Sequence, residues 1–280
     1  MPTAKTINTR GARLSYTRIG TGTPVMLIQG VGAIGNVWRP QVEALRDRYS
    51  VIAFDNRGIG ASTIIGGSLS IEAMADDVLA ILDAEEIARC HVVGHSMGGL
   101  IAMQVALTSP RRVKSLALLC TFPDGQSGAR LTRDTFLAGL RSRIGTRAMR
   151  RKAFMELILS EAGLERRNRE RLAGELAELF GRDLAEQPRI IMRQLRAMSR
   201  FDPKWRLRCL AAVRTLIVSG ERDRIALPSY GRRLAAFIPG SIHIELANVA
   251  HAVPIESPGL INRLLLEHID ERRTKDSRAG

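Results

Sequence analysis

Gly94-His95-Ser96-Met97-Gly98 is a G-x-S-x-G placed where an apolar run, Cys90 to Val93, ends and a helix-like stretch, Leu100 to Leu107, begins. Strand, sharp turn and helix in that order form the setting in which a serine is presented as a nucleophile. A serine hydroxyl is a poor nucleophile at neutral pH, so it needs a base within hydrogen-bond reach and a turn that exposes its oxygen. Glycines on either side permit such a turn. The pentapeptide alone arises by chance in a chain with this much Gly, and the elements around it make it informative.

Outward from Ser96, short β-branched runs alternate with longer helical patterns, which predicts an α/β fold with a mostly parallel, eight-stranded sheet and helices on both faces. Strands are expected near residues 4 to 9 and 13 to 19, then at Val25 to Gln29, Val51 to Asp55, Cys90 to Gly94, Ser115 to Cys120, Thr215 to Ser219 and Ile242 to Leu246. Helices are expected near 36 to 47, 71 to 87, 97 to 109, 227 to 237 and 257 to 272. Ser70 is an N-cap for the second of these, and Met74, Val78, Ile81 and Leu82 share one face of it.

From about 130 to 205 the strand signal stops, and Leu131 to Met198 reads as three or four amphipathic helices broken around Gly163, Gly181 and Pro188. An all-helical insert in an α/β chain is expected to form a lid over the strand ends. The expected division is therefore a core of 1–125 and 206–280 with a helical lid of 126–205. The tail after Glu271 is charged and expected to fray.

The formal net charge is +14, with 42 Lys and Arg against 28 Asp and Glu. Nearly all the cations are arginine, aromatic residues make up 4%, and no nucleic-acid motif is present, so a nucleic-acid partner is not expected. Residues 130 to 208 carry most of the excess, either as solvated helix faces or as a field that favours anionic substrates. No apolar run is long enough to span a membrane, and the polar N-terminus lacks a signal segment, so no membrane partner and a cytoplasmic location are expected. Cys90, Cys120 and Cys209 are an odd set at unrelated spacings, expected to be packed small apolar groups rather than a disulfide framework or zinc site.

In this sheet architecture the chain order is nucleophile, acid, histidine. Of the five histidines, His91 and His95 precede Ser96. His243 sits inside a predicted strand and His268 in the last helix. His251 follows the last strand by Ala247-Asn248-Val249-Ala250, whose small residues leave room for an imidazole acting as general base. The acid that orients it should follow a strand, and Asp223 fits, with Glu221 in the same turn and Asp124 after the sixth strand as alternatives. An oxyanion needs two N–H donors, expected from Met97 and from Val31 in the Gln29-Gly30-Val31-Gly32 loop. Trp38 and Met103 are expected in the core or pocket lining, and Arg57 is expected to anchor its own loop.

Together these motifs resemble the α/β-hydrolase fold family over almost the whole length outside the lid. They are Gly30, the run Asp55-Asn56-Arg57-Gly58-Ile59-Gly60-Ala61-Ser62, the serine turn, Asp223, and His251 followed by Pro254, Glu256 and Pro258. Members usually carry His-Gly where this chain has Gln29-Gly30. Within the family the chain looks most like 3-oxoadipate enol-lactonases and small carboxylesterases. The resemblance implies a cofactor-free hydrolase cleaving a small-molecule ester or lactone through an acyl-enzyme, in its sharper form an anionic enol-lactone. Carbon-carbon bond hydrolases and perhydrolases run on the same triad and are the alternatives, and a non-catalytic ligand receptor is the remote one. Ser96 argues against the relatives that dehalogenate or open epoxides, which carry Asp at that position. Homo-oligomer formation is compatible with this reading.

Overall fold

The computed structural model describes residues 3–129, 137, 139–165 and 168–270. Its strands are β1 (Lys5–Thr9), β2 (Ala12–Ile19), β3 (Thr23–Ile28), β4 (Tyr49–Phe54), β5 (Thr63–Ile64), β6 (Cys90–His95), β7 (Val113–Leu119), β8 (Thr215–Gly220) and β9 (Ile242–Leu246). They lie in the order β1-β2-β4-β3-β6-β7-β8-β9, with β5 beside β2. The pairings of β1, β4 and β5 with β2 are antiparallel, and every other pairing is parallel. All eight predicted strands are present. The ninth, β5, is too short to show any alternation in the sequence. The central strands are apolar along their length, as in Val25-Met26-Leu27-Ile28, because helices cover both faces of a parallel sheet.

The helices between the strands are α1 (Arg39–Leu45), α2 (Ile71–Ala84) and α3 (Met97–Thr108). The stretch expected at 36 to 47 divides into a 3-10 turn, Gly35–Trp38, and α1, where Pro40 suits a first helical turn. Ser70 Oγ accepts the Ala73 N–H at 3.1 Å and caps α2, with Met74, Val78, Ile81 and Leu82 fully buried on one face. This helix ends at Ala84 rather than 87, because Glu86 turns to a φ of 53°.

Between β7 and β8 come α4 (Gly125–Ala129), α5 (Arg147–Ile158), α6 (Glu161–Glu165), α7 (Arg169–Phe180) and α8 (Ile191–Ser199), then a 3-10 turn over Lys204–Ala212. No strand occurs in this stretch among the described residues. Phe154, Leu176, Phe180 and Met198 join the same apolar cluster as the sheet, so the insert buries its own helical faces against the core. After β8 follow α9 (Pro228–Phe237), α10 (Val253–Glu256) and α11 (Pro258–Ile269). The charged tail expected to fray lies outside the described residues, as does part of the predicted insert. No helix among the described residues is long and apolar enough to cross a membrane.

Arg57 anchors its loop as expected. Its guanidinium meets Asp77 of α2 in a fork, Nε to Oδ2 at 2.6 Å and Nη2 to Oδ1 at 2.7 Å, with both residues buried. The remaining donors reach the carbonyls of Ser68 and Ala73. Removing one partner leaves a buried charge uncompensated, so Asp77→Ala is expected to lose about 3–5 kcal/mol in urea unfolding. A loss below about 1 kcal/mol would show that the pair is dispensable.

One cysteine departs from expectation. Cys90 and Cys120 are buried, but Cys209 is exposed, because its 3-10 turn directs Leu207 and Leu210 inward instead. All three are free thiols.

Candidate active site

The parallel strands β3, β6, β7, β8 and β9 run the same way, so the loops leaving their carboxyl ends gather at one edge, where ligands bind in open α/β sheets. Ser96 stands there at the junction of β6 and α3 with φ 55° and ψ −121°. Such a backbone costs on the order of 1–3 kcal/mol for a residue with a side chain and is held by its surroundings. The Ser96 N–H donates to the Leu119 carbonyl at 3.0 Å, and its own carbonyl accepts Thr121 Oγ1 at 2.6 Å and the Gly99 N–H at 2.9 Å. The flanking glycines serve by leaving space rather than by an unusual φ. A Cβ on Gly98 would lie 2.0 Å from the Ile28 carbonyl oxygen, and one on Gly94 2.3 Å from that of Gly98.

His251 Nε2 lies 3.0 Å from Ser96 Oγ, and His251 Nδ1 lies 2.8 Å from Asp223 Oδ2. A carboxylate oxygen only accepts, so Nδ1 carries the proton and Nε2 presents its lone pair to the serine hydroxyl. Asp223 is fixed in turn, its Oδ1 accepting the N–H groups of Ile225 and Ala226, each at 2.8 Å. All three side chains are buried. Neither alternative acid approaches His251. Asp124 takes the N–H and hydroxyl of Ser127 and pairs with Lys204, while Glu221 Oε2 accepts the Asn248 N–H.

Val31 and Met97 also come to the site. Met97 opens α3, where the N–H has no helical acceptor. Val31 lines the cavity beside Ser96. Among the described residues neither N–H has a hydrogen-bond acceptor. Gln29 bridges this loop to β4 through Nε2 to the Phe54 carbonyl at 2.7 Å. A Cβ on Gly30 would press to 3.0 Å from Ser96 Cβ, so the loop approaches the serine closely and a side chain there would push the two apart.

Several contributors escape the sequence reading. His95, set aside by chain order, packs against His251 with the rings tilted at 50° and 4.9 Å between centroids, and donates from Nε2 to the His251 carbonyl at 2.8 Å. Burial, then the neighbouring His251, hold its pKa down to about 3, so it stays neutral at pH 7. Glu256 accepts the N–H groups of Ala250 at 2.9 Å and Ser160 at 3.1 Å, which joins the histidine loop to the insert. Gln194 of α8 accepts the Gly32 N–H at 2.9 Å through Oε1 and does the same for the Val31 loop. Their partners lie up to 162 residues away in the chain, with no local signal.

A cavity of about 390 Å³ opens over Ser96 and His251. Its wall is mostly apolar and comes from both sides, with Trp38 and Phe122 from the core and Phe154, Leu195 and Met198 from the insert. Trp38 is thus pocket lining, and Met103 is fully buried core. Cys120, Asp223 and His251 place candidate metal-ligand atoms within 4.8 Å of one another. Asp223 and His251 are already engaged with each other there, and burial followed by the Asp223 charge pushes the Cys120 thiol well above its usual pKa. That donor set suits proton transfer rather than a metal.

Residues 23–258 match the family model described as the alpha/beta hydrolase fold, and the chain belongs to that family. It is a hydrolase of the α/β fold. It is 34% identical over 263 residues to a protein of Azorhizobium caulinodans named as a candidate carbamate hydrolase, RutD, covering 91% of this chain and 94% of that one. The enol-lactonase of Burkholderia xenovorans superposes with a TM-score of 0.79 at 25% identity, covering 95% of this chain and 99% of that chain. A meta-cleavage product hydrolase from Pseudomonas fluorescens superposes with a TM-score of 0.74 at 25% identity, covering 96% and 98% respectively.

Proposed function

We propose that this hydrolase cleaves a carboxylic ester or lactone through an acyl-enzyme on Ser96. The observation that carries the reading is the relay from Ser96 Oγ through His251 to Asp223, at 3.0 and 2.8 Å, beneath the cavity. Ser96 Oγ attacks the carbonyl carbon while its proton passes to His251 Nε2, and Asp223 stabilises the imidazolium that forms. The oxyanion is held by the N–H groups of Val31 and Met97, each worth about 3 kcal/mol in the transition state. His251 then gives its proton to the departing alcohol oxygen. In the second half, water loses a proton to Nε2, attacks the acyl-enzyme and releases the acid, returning the proton to Ser96. No cofactor enters either half, and the partner is a small molecule. The same attack applies to a carbamate carbonyl, the group in the name of the Azorhizobium relative.

The insert, residues 126–205, serves as the lid of this site, and one of its contacts gives it a further part. Through Gln194 it steadies the loop that carries the Val31 donor. Gln194→Leu is expected to lower kcat about 10-fold with a smaller change in KM, because a misplaced oxyanion donor weakens the transition state more than the ground state. A rise in KM at unchanged kcat would show that Gln194 acts on substrate binding instead.

The reading is tested by turnover of p-nitrophenyl acetate together with labelling by a fluorophosphonate, located by peptide mass. Turnover with the label on Ser96 is expected. A labelled Ser96 without ester turnover would favour carbon-carbon cleavage, the reaction suggested by similarity to the meta-cleavage product hydrolase. No label at all would favour a ligand receptor.

A further inference from the structure

Arg182 is a cation in the wall of the same cavity as Ser96, and nothing in the mechanism uses it. Gly181, at φ 62°, ends α7 in the left-handed conformation and turns the chain so that Arg182 points back inward. Its Cζ lies 5.2 Å from the Phe180 ring centroid and 5.8 Å from that of Phe154, and those rings meet edge to face. Contact with two rings restricts where the guanidinium can go. Nε donates to the Glu186 carbonyl at 2.9 Å. Nη1 is buried with no hydrogen-bond partner, and Nη2 lies 3.8 Å from where a Cβ on Gly32 would stand, beside the Val31 loop.

The nearby acids make their ion pairs with other residues, although the Glu186 charge still attracts Arg182 from a distance. Asp183, the next residue, receives Arg147 and Arg151 and caps the Ala185 N–H. Glu186 turns an exposed carboxylate toward Arg147. Among the described residues no carboxylate oxygen lies within 4.0 Å of Arg182. Burial, opposed by the Glu186 charge, brings its pKa down to about 10, which still leaves it charged at neutral pH. A charge held in a mostly apolar wall is costly unless something pairs with it, and a guanidinium pairs well with a carboxylate.

We infer that Arg182 binds a carboxylate on the substrate, so that this site takes esters, lactones or carbamates bearing a free carboxylate on the acyl side. The inference rests on the proposed serine chemistry and names its substrate class.

The experiment compares kcat/KM for mono-p-nitrophenyl glutarate with that for p-nitrophenyl valerate, in which a methyl group replaces the carboxylate. The wild type is expected to prefer the glutarate ester. In Arg182→Gln that ratio is expected to fall about 10- to 100-fold, the loss of a charged hydrogen-bonded pair. Arg182→Lys keeps the charge but not the fork, serves if the Gln variant does not fold, and is expected to lose part of the preference. No preference in the wild type, or a ratio that both variants leave unchanged, overturns the proposal. If neither ester turns over, the serine chemistry fails separately, and calorimetry with glutarate on the wild type and the two variants decides. Binding that weakens with the substitutions upholds the carboxylate site, and absent or unaltered binding overturns it.

Discussion

Ser96→Ala is expected to reduce p-nitrophenyl acetate turnover by about 10⁴-fold or more and to abolish fluorophosphonate labelling. The magnitude follows from the way such groups act as a unit. Without the nucleophile, His251 and Asp223 have nothing to activate, and the residual rate comes from binding and the oxyanion donors alone. The structure gives the variant a sound fold. The strained turn is held by backbone bonds of Ser96 to Leu119, Thr121 and Gly99, none of which involves the hydroxyl. Alanine accepts the same backbone, so unfolding temperature is expected to stay within a few degrees of the wild type. Activity within about 10-fold of the wild type would remove Ser96 from the chemistry whatever its geometry.

Asp223→Asn carries the second largest effect, a loss in kcat of about 10³- to 10⁴-fold, and its cause is the hydrogen-bond pattern around the side chain. Oδ1 accepts two backbone N–H groups, so an asparagine must keep its carbonyl oxygen there and turn its NH₂ toward His251. Nδ1 of His251 would then have to accept, which moves the ring proton to Nε2. A protonated Nε2 cannot take the serine proton. Fluorophosphonate labelling should therefore slow by a similar factor yet still reach Ser96, in contrast to the alanine variant. Near-normal labelling would mean that orientation of His251 comes from elsewhere, with the His95 contact the first place to look.

The strands and most helices were legible because each is a local pattern. The unbroken apolar run of β3 and the capped, one-faced α2 announce themselves within a dozen or so residues. The serine turn was legible for the same reason, and chain order pointed to His251 and Asp223 without any contact being known. Asp124 and Glu221 could be set aside only in three dimensions, where one accepts from Ser127 and the other from Asn248. His95 shows the opposite failure. Its place before Ser96 excluded it as the base, correctly, but hid that its ring packs on the base and holds its carbonyl.

Sequence by itself therefore determined the α/β class, the helical insert and the three residues that meet at the sheet edge, since periodicity, turn residues and chain order are properties of neighbours along the chain. Tertiary structure alone decided what surrounds them: Gln194 on the Val31 loop, Glu256 between the histidine loop and the insert, and Arg182 between two phenyl rings with an unmet donor. Those contacts join segments far apart in the chain, and a polar side chain on a helix looks the same in sequence whether solvent or a buried N–H satisfies it. Burial and partnership, which give these residues their chemistry, exist only once the sheet and insert have packed.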